Sequence, residues 1–159
     1  MNRYTIAVLV RNQFGVLNRV TSMFRRRQFN ISALTVSETE SNELSRITVV
    51  FDGEEVKKQQ LVNQLYKLPD VCSIAELDNL DTVNRELLLI KVNAGESERT
   101  GIKEIVDIYR GKIVDLSRGS MIIELTGTPE KLDGFLDVME SYDITEVCRT
   151  GITGIETHR

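Results

Sequence analysis

Apolar and polar positions alternate with two distinct periods along this chain, and the order of the periods repeats. Tyr4, Ile6, Val8 and Val10 alternate with Thr5, Ala7 and Leu9, which predicts a strand over residues 4–10. A turn follows at Arg11-Asn12-Gln13-Phe14-Gly15, and Val16, Leu17, Val20, Met23 and Phe24 then recur at helical spacing, predicting an amphipathic helix that ends near Gln28. Ile31–Ser37 and Ile47–Phe51 read as two more strands, joined through the polar stretch Glu38–Glu43 as a hairpin. Asp52-Gly53 breaks the second of them. Val56, Leu61, Leu65 and Tyr66 mark another helix, which Pro69-Asp70 stops, and Val71–Leu77 supplies a fourth strand.

The second half follows the same grammar. Leu87–Val92 reads as a strand, Ile102, Ile105, Val106 and Tyr109 as a helix, and Ile113–Leu116 with Met121–Leu125 as a strand pair. Leu132, Phe135, Leu136 and Met139 mark a last helix, and Ile144–Cys148 a last strand. The halves register on one another: Ile31 precedes Ile113 by 82 residues, while Gly53 precedes Gly127 by 74 and Asp70 precedes Asp143 by 73. The fold expected is α+β, two ferredoxin-like βαββαβ sandwiches, each a four-stranded antiparallel sheet with two helices on one face. The boundaries predicted are residues 1–77 for the first domain, 78–84 for a linker and 85–159 for the second. Domains this small leave one sheet face without helices, so the other half, a second copy or a partner protein is expected to cover it.

Composition narrows the function classes. The 159 residues are 41% apolar and 28% charged, with two prolines, so nearly all of the chain is expected to fold. The formal net charge is −4 and the basic residues are scattered apart from Arg25, Arg26 and Arg27, which argues against nucleic acid as a partner. Those three arginines suit a helix C-terminus, where cations complement the dipole; docking to an acidic face of another protein is the sharper alternative. The chain starts in a strand pattern with no signal-like apolar stretch, and no segment approaches the ~20 apolar residues of a membrane span, so a cytoplasmic location without membrane contact is expected. Cys72 and Cys148 lie in apolar strand-like runs and are expected as small buried side chains. The single histidine, His158, is next to the C-terminus, which leaves little for histidine chemistry or a metal site. Asp107 and Asp115 have no ligand cluster around them, and no metal site is assigned.

The segment with most chemical content is Asn12-Gln13-Phe14-Gly15-Val16-Leu17. A glycine between strand and helix exposes the first amides of the helix, whose N–H groups and dipole favour an anion such as a carboxylate. Alone, the segment also fits an ordinary turn.

The pattern Asn-x-x-Gly-Val-Leu-x-Arg-Val, followed by Phe29-Asn30-Ile31, resembles the ACT domain, an amino-acid-sensing βαββαβ module. More narrowly, residues 26–36, 44–48 and 64–71 resemble the acetolactate synthase small subunit. So do Arg85-Glu86-Leu87, residues 109–115, Leu125-Thr126-Gly127 and residues 131–135 in the second half. The resemblance runs over nearly the whole chain, and the order and spacing of the matches make it specific. It implies a non-catalytic regulatory subunit of a branched-chain amino acid pathway. Such a subunit binds and activates the large catalytic subunit, which makes acetolactate from pyruvate, and confers feedback inhibition by valine. Thiamine diphosphate, Mg and FAD are expected on the large subunit and no cofactor on this chain.

The resemblance further implies a homodimer through ACT domains with the effector between them. Backbone amides of Gly15, Val16 and Leu17 would hold its carboxylate, Asn12 and the neighbour's Asn30 would orient its polar groups, and Ile31 would receive its side chain. Phe14 departs from the family, which often has a smaller residue or proline before the glycine. Rival readings are a stand-alone amino-acid-responsive regulator of another partner, an acylphosphatase-like enzyme using Arg19 and Asn30, and an RNA-recognition sheet. Arg19 falls inside the helix rather than in the turn, and Ile47–Phe51 offers a single aromatic, which weighs against the last two.

Overall fold

The computed structural model describes residues 1–79 and 81–157. Leu80 of the expected linker and His158 lie outside the described residues. The described chain divides into two compact units, residues 1–79 and 81–84 with 151–157, and residues 85–150.

In the first unit, β1 (Asn2–Arg11), α1 (Val16–Arg26), β2 (Asn30–Glu38), β3 (Leu44–Gly53), α2 (Glu55–Leu65) and β4 (Val71–Glu76) follow one another. The strands form an antiparallel sheet in the order β2-β3-β1-β4, leaving β2 and β4 at the edges. Period-two alternation sends Ile6, Val8, Ile47, Val49 and Phe51 to the helix side, where they meet Val20, Phe24, Leu61 and Leu65 in one core. Phe24, Phe29 and Phe51 pack edge-on with centroids 5.2–6.4 Å apart. The opposite sheet face is not bare: Thr5, Ala7, Thr48 and Val50 are buried.

Part of that cover comes from a strand that the residue pattern does not announce, β9 (Thr153–Glu156), after β5 (Thr82–Asn93), α3 (Arg99–Ile108), β6 (Lys112–Leu116), β7 (Ser120–Gly127), α4 (Pro129–Met139) and β8 (Asp143–Arg149). Gly151 lies against Ala33, and Arg46 Nη1 donates to the Gly154 carbonyl at 3.4 Å. Residues 151–157 therefore pack with the first unit, whereas the sequence reading puts them in the second domain. Residues 78, 79 and 81–84 belong to the first unit as well, with Asp78 accepting the Thr5 amide and β5 already begun at Thr82.

The second unit repeats the plan with sheet order β6-β7-β5-β8. Its core gathers Leu88, Ile90, Ile123, Phe135 and Met139, with Tyr109 edge-on to Phe135 at 5.4 Å. Thr128 caps α4, accepting from the Lys131 amide, ahead of Pro129 in the first turn. Arg149 ties Glu86 to Asp133, each at 2.6 Å.

Two expectations are corrected. Cys72 and Cys148 are exposed free thiols, not buried ones: both lie on edge strands, where no further strand shields the side chain. Val56, expected on the apolar stripe of α2, is exposed at 70%, because the buried face turns through Lys58, Leu61, Val62 and Leu65. Lys58 reaches Glu76 at 3.1 Å with its ammonium over the Tyr4 ring.

The repeat extends to how the first helix of each unit stops. Gln28 (φ 60°) and Arg110 (φ 59°) are left-handed residues 82 positions apart, the offset that relates Ile31 to Ile113. Phe29 N–H then donates to the Phe24 carbonyl and Gly111 N–H to the Val106 carbonyl, the bond that closes a Schellman-type end. A β-carbon in this conformation costs ~1 kcal/mol. Gln28→Gly and Arg110→Gly are each expected to raise stability by about 0.5–1 kcal/mol, read as a higher urea midpoint at unchanged slope.

Candidate functional site

The turn between β1 and α1 enters the helix through Gly15. Gly15 adopts φ +82°, ψ −4° and stands at the N-cap with no side-chain cap on the helix. The left-handed conformation explains the glycine. Val16 is buried in the core and its backbone amide donates to the Gln13 carbonyl at 3.4 Å; Leu17 is exposed at 40%. Phe14 is fully exposed at the tip of the turn and takes no part in the core.

Asn12 has a structural task. Its side-chain amide donates to the Asn42 carbonyl at 3.0 Å and to Glu38 Oε1 at 3.4 Å, while its backbone N–H donates to the Glu43 carbonyl at 2.7 Å. The β1–α1 turn and the β2–β3 loop are thus held together. A cavity of about 670 Å³ opens beside them, lined in part by Arg11, Asn12, Glu43 and Cys72.

Asn30 and Ile31 stand elsewhere. They begin β2, with Asn30 opposite Asp52 and Ile31 opposite Phe51, whereas the Asn12 turn adjoins Glu38 at the other end of the same strand. Along β2 that separation is about 26 Å at ~3.3 Å per residue, beyond the span of one amino acid. Asn30 is exposed beside Asp52, whose carboxyl is held below the usual carboxylate range by its hydrogen bond to Arg3 and also meets Ser32 Oγ. Ile31 packs at the margin of the first core. One copy of the chain therefore does not bring the six expected residues together.

Arg19 belongs with the turn, although the residue pattern suggested it only for an enzyme reading. It sits one helical turn after Gly15, and its amide donates to the Gly15 carbonyl at 3.1 Å. Its guanidinium grips Asp70 Oδ2 through Nε and Nη2, at 3.0 and 2.6 Å, leaving Nη1 3.2 Å from where a β-carbon on residue 15 would lie. The four-residue spacing was the available signal. The guanidinium thus stands beside this helix start while paired with Asp70.

Among the described residues, no group of three or more His, Cys, Asp or Glu side chains is placed to hold a metal ion. No described helix is long and apolar enough to cross a membrane.

Comparison with known proteins matches both units. Residues 6–73 fit the model of the ACT domain like that of acetohydroxyacid synthase small subunits, and residues 85–158 the model of the acetolactate synthase small subunit. A probable acetolactate synthase small subunit of Archaeoglobus fulgidus is 47% identical over 94% of this chain and 93% of its own. The acetolactate synthase small subunit of Mycolicibacterium smegmatis is 45% identical over 96% of this chain and 89% of its own. The crystal structure of the acetolactate synthase small subunit from Thermotoga maritima superposes with a TM-score of 0.89 at 36% identity, covering 100% of this chain and 99% of that one.

Proposed function

The chain belongs to the acetolactate synthase small-subunit family, and we propose that it is the non-catalytic subunit that activates the large catalytic subunit and senses valine between two copies of its first unit. The observation that carries the two-copy site is the edge position of β2. An edge strand offers unpaired backbone groups, and antiparallel pairing with its own copy is a direct way to satisfy them. β2 has nine residues with Leu34 in the middle; a two-fold axis there sets Asn30 of one copy opposite Glu38 of the other. Glu38 is bound by Asn12, so the same operation carries Asn30 and Ile31 to the other copy's Gly15 turn.

In that arrangement the amides of Gly15 and Leu17 and the Arg19 guanidinium face the carboxylate of valine. Asn30 accepts from its ammonium, and Ile31 with the exposed Leu17 encloses its isopropyl group. Valine then favours the paired arrangement because it touches both copies, and it alters the large subunit only by as much as it prefers one arrangement over another, typically ~1–3 kcal/mol.

The test is calorimetric titration of the purified chain with valine, paired with reconstitution of a large subunit. Saturable binding, faster acetolactate formation when the chain is added, and loss of that gain with valine are expected. Absence of heat with valine, leucine and isoleucine, both alone and in the reconstituted enzyme, would remove the sensing role.

A further inference from the structure

A second cavity, of about 430 Å³, opens between the two helices of the first unit, at the C-terminal end of α1 and ~15 Å along that helix from Gly15. Met23, Arg26 and Arg27 line it from α1 at the i, i+3, i+4 spacing of one helix face. From α2 come Lys57, Gln60 and Gln64, again on one face, and Phe29 forms part of the apolar wall with Met23.

The electrostatics are one-sided. Three cations and two amide side chains line the cavity and no carboxylate does. Arg26, Arg27 and Lys57 make no ion pair among the described residues. Nor are the arginines spent on capping α1, since its last carbonyls are taken by backbone amides: Arg27 N–H donates to Met23, Gln28 N–H to Arg25 and Phe29 N–H to Phe24. On a chain whose net charge is −4, three cations gather on one concave wall, and Arg26 and Lys57 are exposed there, so the ligand that matches them is an anion. A single carboxylate would neutralise only one of them. A phosphoryl group carries about two charges, and guanidinium forks match its oxygens in pairs. The volume is within the range of small-molecule sites, and the amides of Gln60 and Gln64 with the Met23–Phe29 wall leave room for more than the anion itself.

We propose that this cavity is a binding site for a phosphorylated small molecule, separate from the Gly15 turn. Phe29 is followed directly by Asn30, so a ligand resting on Phe29 also bears on the start of β2.

The test is titration of the full chain with inorganic pyrophosphate, with NMR or calorimetric readout. Saturable one-to-one binding is expected. The Arg26→Gln/Arg27→Gln double variant and, from the opposite wall, Lys57→Gln are each expected to weaken it by about tenfold or more, while Arg25→Gln, which removes one charge from the same helix, as Lys57→Gln removes one from the other, but lies off the cavity, leaves it within about twofold. Equal weakening by Arg25→Gln would mean diffuse attraction to a basic helix and would overturn the site, as would absence of saturation. If pyrophosphate does not bind but the double variant releases the large subunit from the reconstituted enzyme, the patch docks that protein and the proposal fails.

Discussion

Gly15→Asp is expected to abolish valine binding, weakening it by about a hundredfold or more, while leaving the thermal midpoint within a few degrees of the parent. The two halves of this expectation have separate causes. Folding survives because aspartate is among the few side chains that tolerate φ near the observed +82°, and because the new carboxylate emerges toward Arg19 Nη1 and the uncapped first turn of α1, where a negative charge is welcome. Binding is lost for that same reason: the side chain takes the place that the carboxylate of the effector would occupy, so the ligand loses charge-assisted bonds of ~1.5–3 kcal/mol each and meets a like charge. Gly15→Ala separates the terms, since it brings the backbone strain without the charge, and it is expected to weaken binding much less than Gly15→Asp. Valine bound equally well by parent and aspartate variant would sink the assignment of this turn.

The sequence was legible where one physical rule governs a segment. β1 and β3 bury every second side chain against the helices, so period-two alternation located them. The 82-residue offset found from Ile31 and Ile113 also relates Gln28 to Arg110, where two helices stop by the same backbone device. β9 was not legible: within Gly151-Ile152-Thr153-Gly154-Ile155 two glycines interrupt the pattern, and both are needed because side chains there would strike Ala33 and Asn84. The cysteines misled because an apolar run says that a strand is present, not whether it lies at an edge.

At the site, glycine before a helix disclosed the left-handed turn and its amides. The side-chain partners of Asn12 were hidden, because Glu38 and Asn42 approach it through a hairpin whose register no local pattern states. Arg19 was hidden for the opposite reason: its position in a helix was evident, but the reach of its guanidinium back over Gly15 depends on Asp70, 51 residues on, holding the other side of the fork. Gly15 and Asn30 were both visible as residues; because Asn30 begins β2 and the Asn12 turn adjoins its other end, the proposed site needs two copies.

That requirement has its own large-effect test at Leu34, the midpoint of β2, whose side chain is 38% exposed and so accepts substitution with little damage to the first core. A two-fold axis at this residue sets position 34 of one copy against position 34 of the other. Leu34→Asp brings two carboxylates face to face, and Leu34→Lys two ammonium groups; either pair opposes strand pairing. Each variant alone is therefore expected to sediment as a monomer and to lose valine binding, even though every residue at the Gly15 turn is intact. Mixed in equal amounts, the two variants place aspartate against lysine, and pairing and valine binding are expected to return together. This outcome would tie the effector site to the β2 edge rather than to any property of one copy. Recovery of neither property, or valine binding by the separated monomers, would mean that the copies meet through another surface and that Asn30 and Ile31 have no part in holding the effector.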